Sequence, residues 1–259
     1  AKRTLGDARV PFEVPRGDAL AARLASVLEV IYLIFNEGYS ATAGDDWTRP
    51  ALCEEALRLG RILAQLSPDI AEVHGLVALM EIQASRMHAR LDAEGKPILL
   101  MAQDRGRWDR LLIGRGLAAL ARAETLADVA GPYRLQAAIA ACHARAATPE
   151  ATDWSRIVAL YGELMQCLPS PVVELNRAVA VSMAQGPAAA LLLVNALVAQ
   201  GQLARYHLLH AARGDLLAKL GRRDEARAEF ERAAAMTANE RERELLLGRA
   251  RETRASAGS

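Results

Sequence analysis

The sequence predicts an all-α protein built from stacked antiparallel helical hairpins, a tetratricopeptide-like superhelix. Three observations predict it. Hydrophobic residues make up 52% of the chain and are mostly Ala and Leu, while aromatic residues make up 4%, which favours helices over strands. Apolar residues recur at helical spacing from Asp18 to about Arg254. The segments between these patterns are short, and short connections make consecutive helices antiparallel neighbours.

The first three predicted helices occupy residues 18 to about 90. Asp18 is a suitable N-cap for the first helix. Its predicted inner face consists of Leu20, Leu24, Val27, Leu28, Ile31 and Phe35. The second helix is predicted to start at Thr48, just before Pro50, and a Ser-Pro-Asp turn at 67–69 separates it from the third. The second helix has an inner stripe of Leu52, Ala56, Leu59, Leu63 and Leu66.

Residues 91–101 interrupt the helical pattern. Gly95 and Pro97 predict a turn there, and residues 98–101 an extended segment. The later helices are predicted to begin near Asp104, Pro132, Asp153, Pro171, Pro187, Ala204, Arg223 and Asn239.

The second half of the chain contains a tetratricopeptide-like pattern. The pattern of apolar, turn, small, aromatic and small positions is filled by Leu217, Gly221, Ala226, Phe230 and Ala233. The spacing of its second helix repeats upstream at Ile157, Tyr161, Leu164 and Pro169. We therefore expect an irregular helical part over residues 18–130 and tetratricopeptide-like repeats over 131–254. The repeats would end in a capping helix with residues 245–247 facing inward, followed by a disordered tail at 255–259.

The first candidate site is the segment LIFNEGYSATAGDDW at residues 33–47, where the first helix ends. Gly38 suits the left-handed position that follows a helix. Glu37 is unfavourable there because it meets the negative end of the helix dipole, so we expect a partner such as Arg49. A structural hydrogen-bonded knot is the first interpretation of Asn36, Glu37 and Tyr39. A ligand or partner contact is the second, and catalysis is a distant third.

The second candidate site is the segment QDRGRWDR at residues 103–110. Asp104 is expected to cap a helix whose inner face starts with Trp108, Leu111 and Leu112. The first interpretation of the charged residues is a solvated, self-paired helix start. The alternative is an anion or acidic-peptide site, because guanidinium groups beside a helix N-terminus suit negative charge. The contact residues we select here are Arg105, Trp108 and Asp109.

Other functional classes have little support in the sequence. His207 and His210 are spaced to share a helix face, but neither an HExxH motif nor a cysteine cluster accompanies them, so we expect no metal site. Cys53, Cys142 and Cys167 are far apart and are expected to be small core residues in a reducing compartment. Glycine-rich phosphate loops and a GxSxG elbow are absent from the sequence. We therefore expect no catalytic residues, no cofactor and no enzyme activity.

The charge and hydropathy of the chain limit its partners. The net charge of +1 gives no general attraction to nucleic acid or to anionic membranes. No apolar run approaches the roughly 20 residues that a membrane helix needs. The chain opens with Ala and a charged run, AKRTLGDAR, so we expect it to be part of a longer polypeptide.

Five long motifs resemble one family. They are VLEVIYLIFNEGYSATAGDDWTRPALCEEALRLGRIL, EVHGLVALMEIQASR, QDRGRWDRLLIGRG, GPYRLQAAIAACHA and SPVVELNRAVAV. They resemble the bacterial extracytoplasmic-function (ECF) RNA polymerase sigma factors that carry a long C-terminal extension with tetratricopeptide-like repeats. The resemblance runs from Lys2 to about Arg251 and concerns that extension alone. Residues 1–17 resemble the end of the second DNA-binding region and its linker.

The resemblance implies a regulatory or stabilising domain in the bacterial cytoplasm. Its expected partners are the sigma regions of the same polypeptide and core RNA polymerase, with an unknown signalling partner as a further possibility. DNA would be contacted only through the missing N-terminal regions, and no membrane contact is expected. Two alternatives stay open: a small-molecule-sensing domain that controls the same sigma factor, and a free-standing scaffold or helical enzyme.

Overall fold

The computed structural model describes residues 18–44 and 46–255, and the side chains of residues 23–44 and 46–253. The predicted linker at 1–17 and residues 256–259 of the predicted tail lie outside this range. Over the described residues the fold is all-α, as the sequence predicts. No helix in these ranges is long and apolar enough to cross a membrane.

Eleven α-helices follow one another in the described part of the chain, and three short 3₁₀ helices lie between the third and the fourth. The helices are α1 (Asp18–Tyr39), α2 (Pro50–Leu66), α3 (Ala71–Ala84), α4 (Arg110–Leu126), α5 (Pro132–Arg145), α6 (Trp154–Cys167), α7 (Pro171–Gln185), α8 (Pro187–Gln200), α9 (His207–Lys219), α10 (Arg223–Met236) and α11 (Glu240–Ala255). The 3₁₀ helices are Met87–Ala89, Leu100–Ala102 and Arg105–Arg107. Each helix packs on its neighbour in sequence, and α3 also packs on α5.

Most helix starts agree with the sequence. Pro132, Pro171 and Pro187 each occupy the first turn of their helix, where proline's missing N–H costs no hydrogen bond. Asp153 accepts a hydrogen bond from the backbone N–H of Arg156 and so caps α6. Asn239 caps α11 by accepting from the N–H of Glu242.

Several predicted boundaries are wrong by a few residues. Helix α2 has Arg49, rather than Thr48, as its N-cap. Helix α3 ends at Ala84, and a separate 3₁₀ turn carries the chain on towards Arg90. The expected extended segment at 98–101 forms no strand: the second 3₁₀ helix begins at Leu100, and the isolated β-bridge joins Leu91 to Pro97 just before the segment. The helix expected from Ala204 begins at His207.

The tetratricopeptide-like pattern predicts the packing of α9 against α10. Its apolar, aromatic and two small positions are all buried, and Gly221 has a positive φ of 74° in the turn. Phe230 packs against Gly214, where an added Cβ would lie 2.9 Å from the ring. In α11 only Leu246 of residues 245–247 is buried. The predicted inward run is therefore a single residue wide.

The two ends of the helical stack meet, which the sequence did not indicate. Strand β1 (Ala43–Gly44), in the α1–α2 loop, pairs in parallel with β2 (Ala238–Asn239), in the α10–α11 loop. The buried Asn239 side chain donates to the backbone oxygens of Ala41, at 3.3 Å, and Asp46, at 3.0 Å. The series of packed helices is thus closed by contact between the α1–α2 loop and the α10–α11 loop.

Candidate functional site

The first candidate segment begins with a close approach of two helices. Gly38 is helical and buried, and a Cβ there would lie 2.7 Å from the backbone nitrogen of Cys53 and 2.9 Å from its sulfur. The expected left-handed cap is therefore wrong, because Gly38 lets α1 and α2 touch instead. Among the glycines of this segment, Gly44 has the positive φ, 101°.

Glu37 has the partner that the sequence predicted. Its Oε1 lies 2.8 Å from Nη1 of Arg49, and its Oε2 accepts from the N–H of Thr42 at 3.3 Å. The same arginine donates to the carbonyl of Ala43 at 3.1 Å. These contacts offset the unfavourable dipole position and hold the loop that carries β1.

Asn36 points away from this knot, into a groove. It hydrogen-bonds with Tyr32, whose hydroxyl also donates to Oε1 of Gln136 on α5 at 3.0 Å. Tyr32 in turn meets Tyr133 edge to face, with ring centroids 5.5 Å apart. Burial raises the pKa of Tyr133 to about 12, so its hydroxyl stays protonated at neutral pH.

This α1 groove is a cavity of about 1140 Å³ between α1, the α2–α3 turn, the start of α5 and Leu168. Aliphatic side chains dominate its surface, notably Leu24, Leu28, Leu33, Leu66, Ile70 and Leu168. Its charged lining residues are Glu29, Asp69 and Glu72, and none of the described residues that line it is basic. The groove is thus apolar with an acidic character.

Glu72 fixes one wall of the groove. Its carboxylate accepts from the backbone N–H groups of Tyr133, at 2.8 Å, and Arg134, at 3.2 Å. These groups lie at the N-terminus of α5, where negative charge is favourable. Burial raises the pKa of Glu72, while the two hydrogen bonds act in the opposite direction. The acid therefore couples α3 to α5 directly beneath the groove.

Large aliphatic side chains of α1 and α2 are exposed around the α1 groove. Leu33 is 59% exposed and Leu66 75% exposed, with Val27, Val30 and Ile62 also exposed. The sequence placed Val27 and Leu66 on inner faces, and both assignments are wrong. A second, smaller groove of about 480 Å³ lies between α1 and α2, and Val27, Val30 and Ile62 are among the residues that line it. Helix α1 therefore presents apolar surface on two sides.

The second candidate segment has a structural arginine at its centre. Arg105 is 7% exposed and donates from Nη1 to the carbonyls of His143, at 2.5 Å, and Ala146, at 2.7 Å. Its Nη2 donates to Oγ1 of Thr152 at 3.2 Å. The expected solvated, self-paired helix start is wrong here, because this guanidinium caps the carbonyl end of α5.

Two aspartates of this segment cap different helices. Asp109 caps α4 by accepting from the N–H groups of Leu111 and Leu112, while Asp104 caps only the preceding 3₁₀ turn. Trp108 is buried, as expected, but Leu111 is exposed. The Nε1 of Trp108 is buried with no hydrogen-bond partner among the described residues.

Two arginines outside both candidate segments, Arg86 and Arg90, connect Tyr39 with Trp108 and Arg105. Arg90 places its guanidinium carbon 3.5 Å from the centroid of Tyr39. That of Arg86 lies 5.8 Å from Tyr39 and 5.9 Å from Trp108, and that of Arg105 lies 4.8 Å from Trp108. We call these five residues the arginine cluster. Asn36, Glu37 and Asp109 have their partners elsewhere.

The electrostatics of the arginine cluster are strongly positive. Burial lowers the pKa of Arg90, and the neighbouring Arg86 lowers it further, although Tyr39 opposes both effects. Burial, followed by the charges of Arg86 and Arg105, lowers the pKa of His143 to about 4. Arg86 is the last residue of the motif EVHGLVALMEIQASR, but the residue spacing in this motif does not indicate that Arg86 has aromatic partners.

The remaining histidines and cysteines have structural surroundings. Nε2 of His207 lies 2.9 Å from Glu242, and Nδ1 of His210 lies 2.7 Å from Glu229. Within residues 18–44 and 46–255, no group of three or more His, Cys, Asp or Glu side chains is arranged to hold a metal ion. Burial raises the pKa of the Cys53 thiol to about 11, which makes it a poor nucleophile. Cys167, expected in the core, is exposed.

Comparison with known proteins gives two findings. Residues 23–124 match the model of a family described as "Family of unknown function (DUF6596)". A protein of Rhizobium meliloti (strain 1021), described as "Uncharacterized protein R00370", is 49% identical over 239 residues. The alignment covers 92% of this chain and 56% of that protein. The chain therefore spans little more than half the length of this relative, and the matched family region contains both candidate segments.

Proposed function

We propose that this chain is the C-terminal regulatory and protein-interaction domain of an ECF sigma factor, which modulates transcription initiation by bacterial RNA polymerase in the cytoplasm. The observation that carries the proposal is the α1 groove with its exposed aliphatic rim. The resemblance of the five long motifs to ECF sigma-factor extensions supplies the identity of the partners: the sigma regions of the same polypeptide and core polymerase.

The surface around the groove suits a protein partner. Leu33 and Leu66 expose most of their side chains at its edge, and clusters of exposed aliphatic residues commonly mark interaction sites. An amphipathic helix binds such a groove through its apolar face. The carboxylate of Glu29 favours a partner helix that also carries Lys or Arg beside its apolar residues, while that of Asp69 already lies 3.5 Å from Arg122.

The domain acts in this proposal without catalysis. It changes the population of promoter-competent sigma factor because the groove binds one arrangement of the sigma regions more tightly than the other. Only such a difference in affinity can shift the equilibrium between two forms.

Run-off transcription by core polymerase tests the proposal. The sigma polypeptide with the domain is compared with one that stops before Phe12, at equal folded concentrations. We expect the output to change several-fold. A lower output without the domain means that the domain holds the active form, and a higher output means that it is an inhibitor. Equal output at every polymerase concentration contradicts the proposal.

A second candidate function, small-molecule sensing, is favoured by the dimensions and hydrogen-bonding groups of the same groove. Its volume is about 1140 Å³, slightly above the usual range of ligand pockets, and Asn36, Tyr32 and Gln136 line it. A ligand that binds there raises the melting temperature of the isolated domain because it binds only the native state. A several-fold effect on transcription in a purified system that contains no metabolites favours the protein-interaction function instead.

A further inference from the structure

We propose that the arginine cluster binds the phosphate group of a small molecule through Arg86 and Arg90. This site is distinct from the α1 groove and does not depend on the proposed function of that groove. It is formed where the end of α3 and the following 3₁₀ turn meet Tyr39 of α1 and Trp108, just before α4.

The two guanidinium groups lack a counter-charge. Among the residues that the structure describes, no carboxylate lies within ion-pairing distance of Arg86 or Arg90. Nε of Arg86 is buried without a hydrogen-bond partner in the same part of the chain, and Arg90 is 7% exposed. A buried cation without a partner is costly, and a bound anion removes that cost.

The neighbouring acids are committed to other contacts. Asp104 and Asp109 accept from backbone N–H groups at helix starts, and Glu81 is paired with Arg61 at 2.8 Å. Glu150 is exposed; burial lowers the pKa of Arg105, and the charge of Glu150 acts in the opposite direction. The Nη1 and Nη2 groups of Arg105 already donate to three oxygen atoms of α5 and the loop after it.

Within the described part of the chain, the buried donors of the cluster without a hydrogen-bond partner are Nε of Arg86, Nε of Arg105 and Nε1 of Trp108, and of these three side chains only that of Arg86 is partly exposed. Arg90 hydrogen-bonds with Tyr39 and adds a second positive charge beside Arg86.

The shape of the cluster favours a compact oxyanion. The rings of Tyr39 and Trp108 flank Arg86, and Arg86 is partly exposed, so an anion reaches the cluster from the surface at that residue. A phosphate group presents several oxygen atoms to the fork of N–H donors on an arginine. A net charge of +1 for the whole chain does not favour the extended phosphate backbone of a nucleic acid.

The test is thermal unfolding of the whole chain with inorganic phosphate, against sodium chloride of equal ionic strength. We expect a saturable rise in melting temperature with millimolar phosphate. The rise should be lost in Arg86→Gln and reduced in Arg86→Lys, which keeps the charge but lacks the fork. The control Arg58→Gln removes an exposed arginine that is paired with Glu55 on α2, and it should respond like the unmodified chain.

Three outcomes overturn the inference. The first is a melting temperature that rises no more with phosphate than with chloride. The second is a rise of equal size in Arg86→Gln, which would identify a general salt effect on stability. The third is an equal loss in Arg58→Gln. If Arg86→Gln does not fold, calorimetric titration of the unmodified chain and of Arg86→Lys decides: the inference requires saturable binding of phosphate to the former and weaker binding to the latter.

Discussion

A buried carboxylate in the C-terminal half and two arginines in the N-terminal half have contrasting surroundings. In the C-terminal half, the buried Glu229 lies 2.7 Å from both His210 and Arg213, and Asp215 pairs with Lys219 and Arg249. In the N-terminal half, Arg86 and Arg90 lack a carboxylate partner within the described residues, and Leu33 and Leu66 are exposed. These carboxylates of the C-terminal half are paired with cations, whereas Arg86 and Arg90 have no such counter-charge in the part of the chain that the structure describes and lie in the half that contains most of the α1 groove. Both sites that we propose, the α1 groove and the arginine cluster, lie mainly in the N-terminal half.

The largest effect should come from breaking a paired charge. Glu229→Ala leaves Arg213 and His210 without their acceptor in a buried position, and we expect it to lower the free energy of unfolding by about 4 kcal/mol. Arg86→Gln should change it by less than about 1 kcal/mol, because no carboxylate among the described residues loses a partner. Urea unfolding of both variants measures the contrast. Equal losses would erase the distinction between the halves.

The second effect concerns pH and links the arginine cluster to stability. His143 has a pKa of about 4 in the fold against an ordinary value of 6.5, so the unfolded chain binds the proton more readily. Stability is fully present above pH 6.5 and falls as the pH is lowered towards 4, by about 3 kcal/mol from this residue.

The variant His143→Phe isolates this contribution. It keeps a ring against Trp154, which meets the imidazole edge to face at 5.1 Å, but it cannot be protonated. We expect the stability of the variant to fall less steeply between pH 6.5 and pH 4 than that of the unmodified chain, as measured by urea unfolding at each pH. Parallel curves would show that burial and the charges of Arg86 and Arg105 do not suppress protonation of His143.

A smaller effect is expected where the two halves join. Asn239→Ala removes the hydrogen bonds to the carbonyls of Ala41 and Asp46 and the cap of α11. We expect a loss of about 2 kcal/mol and faster amide hydrogen exchange in the 40–49 loop. Asn176→Ala, at an exposed position of α7, is the control and should leave that exchange unchanged. Unaltered exchange in Asn239→Ala would mean that the closure does not hold the loop.

The sequence predicts the fold well wherever local chemistry decides. Pro171 and Pro187 start helices through their own geometry, and Phe230 with Ala226 marks a helix pair through a repeated pattern. Glu37 and Arg49 could be paired in advance because a carboxylate at a helix C-terminus needs a cation nearby.

The sequence predicts less where distant segments decide. Asn239 meets the 40–49 loop across almost the whole chain, and no periodicity encodes that contact. Gly38 allows α1 and α2 to pack closely and does not form a turn. This role depends on the position of Cys53 in the fold. Arg86 and Arg90 belong to a site only because they contact Tyr39 and Trp108, which lie in other motifs of the sequence. The arginine cluster is therefore formed by three segments of the chain, and two of them are the candidate segments that the sequence indicated.

The most direct test of the α1 groove as a protein-interaction site is run-off transcription with Leu33→Glu in the proposed full-length sigma polypeptide. This substitution places a charge on the exposed rim of the α1 groove and leaves the core intact. Val129→Glu, at an exposed position that does not line the groove, is the matched control. We expect Leu33→Glu to shift the output towards that of the chain without the domain and Val129→Glu to leave it unchanged. An unchanged output with Leu33→Glu, where removal of the domain does change it, would show that the α1 groove is not the interaction site.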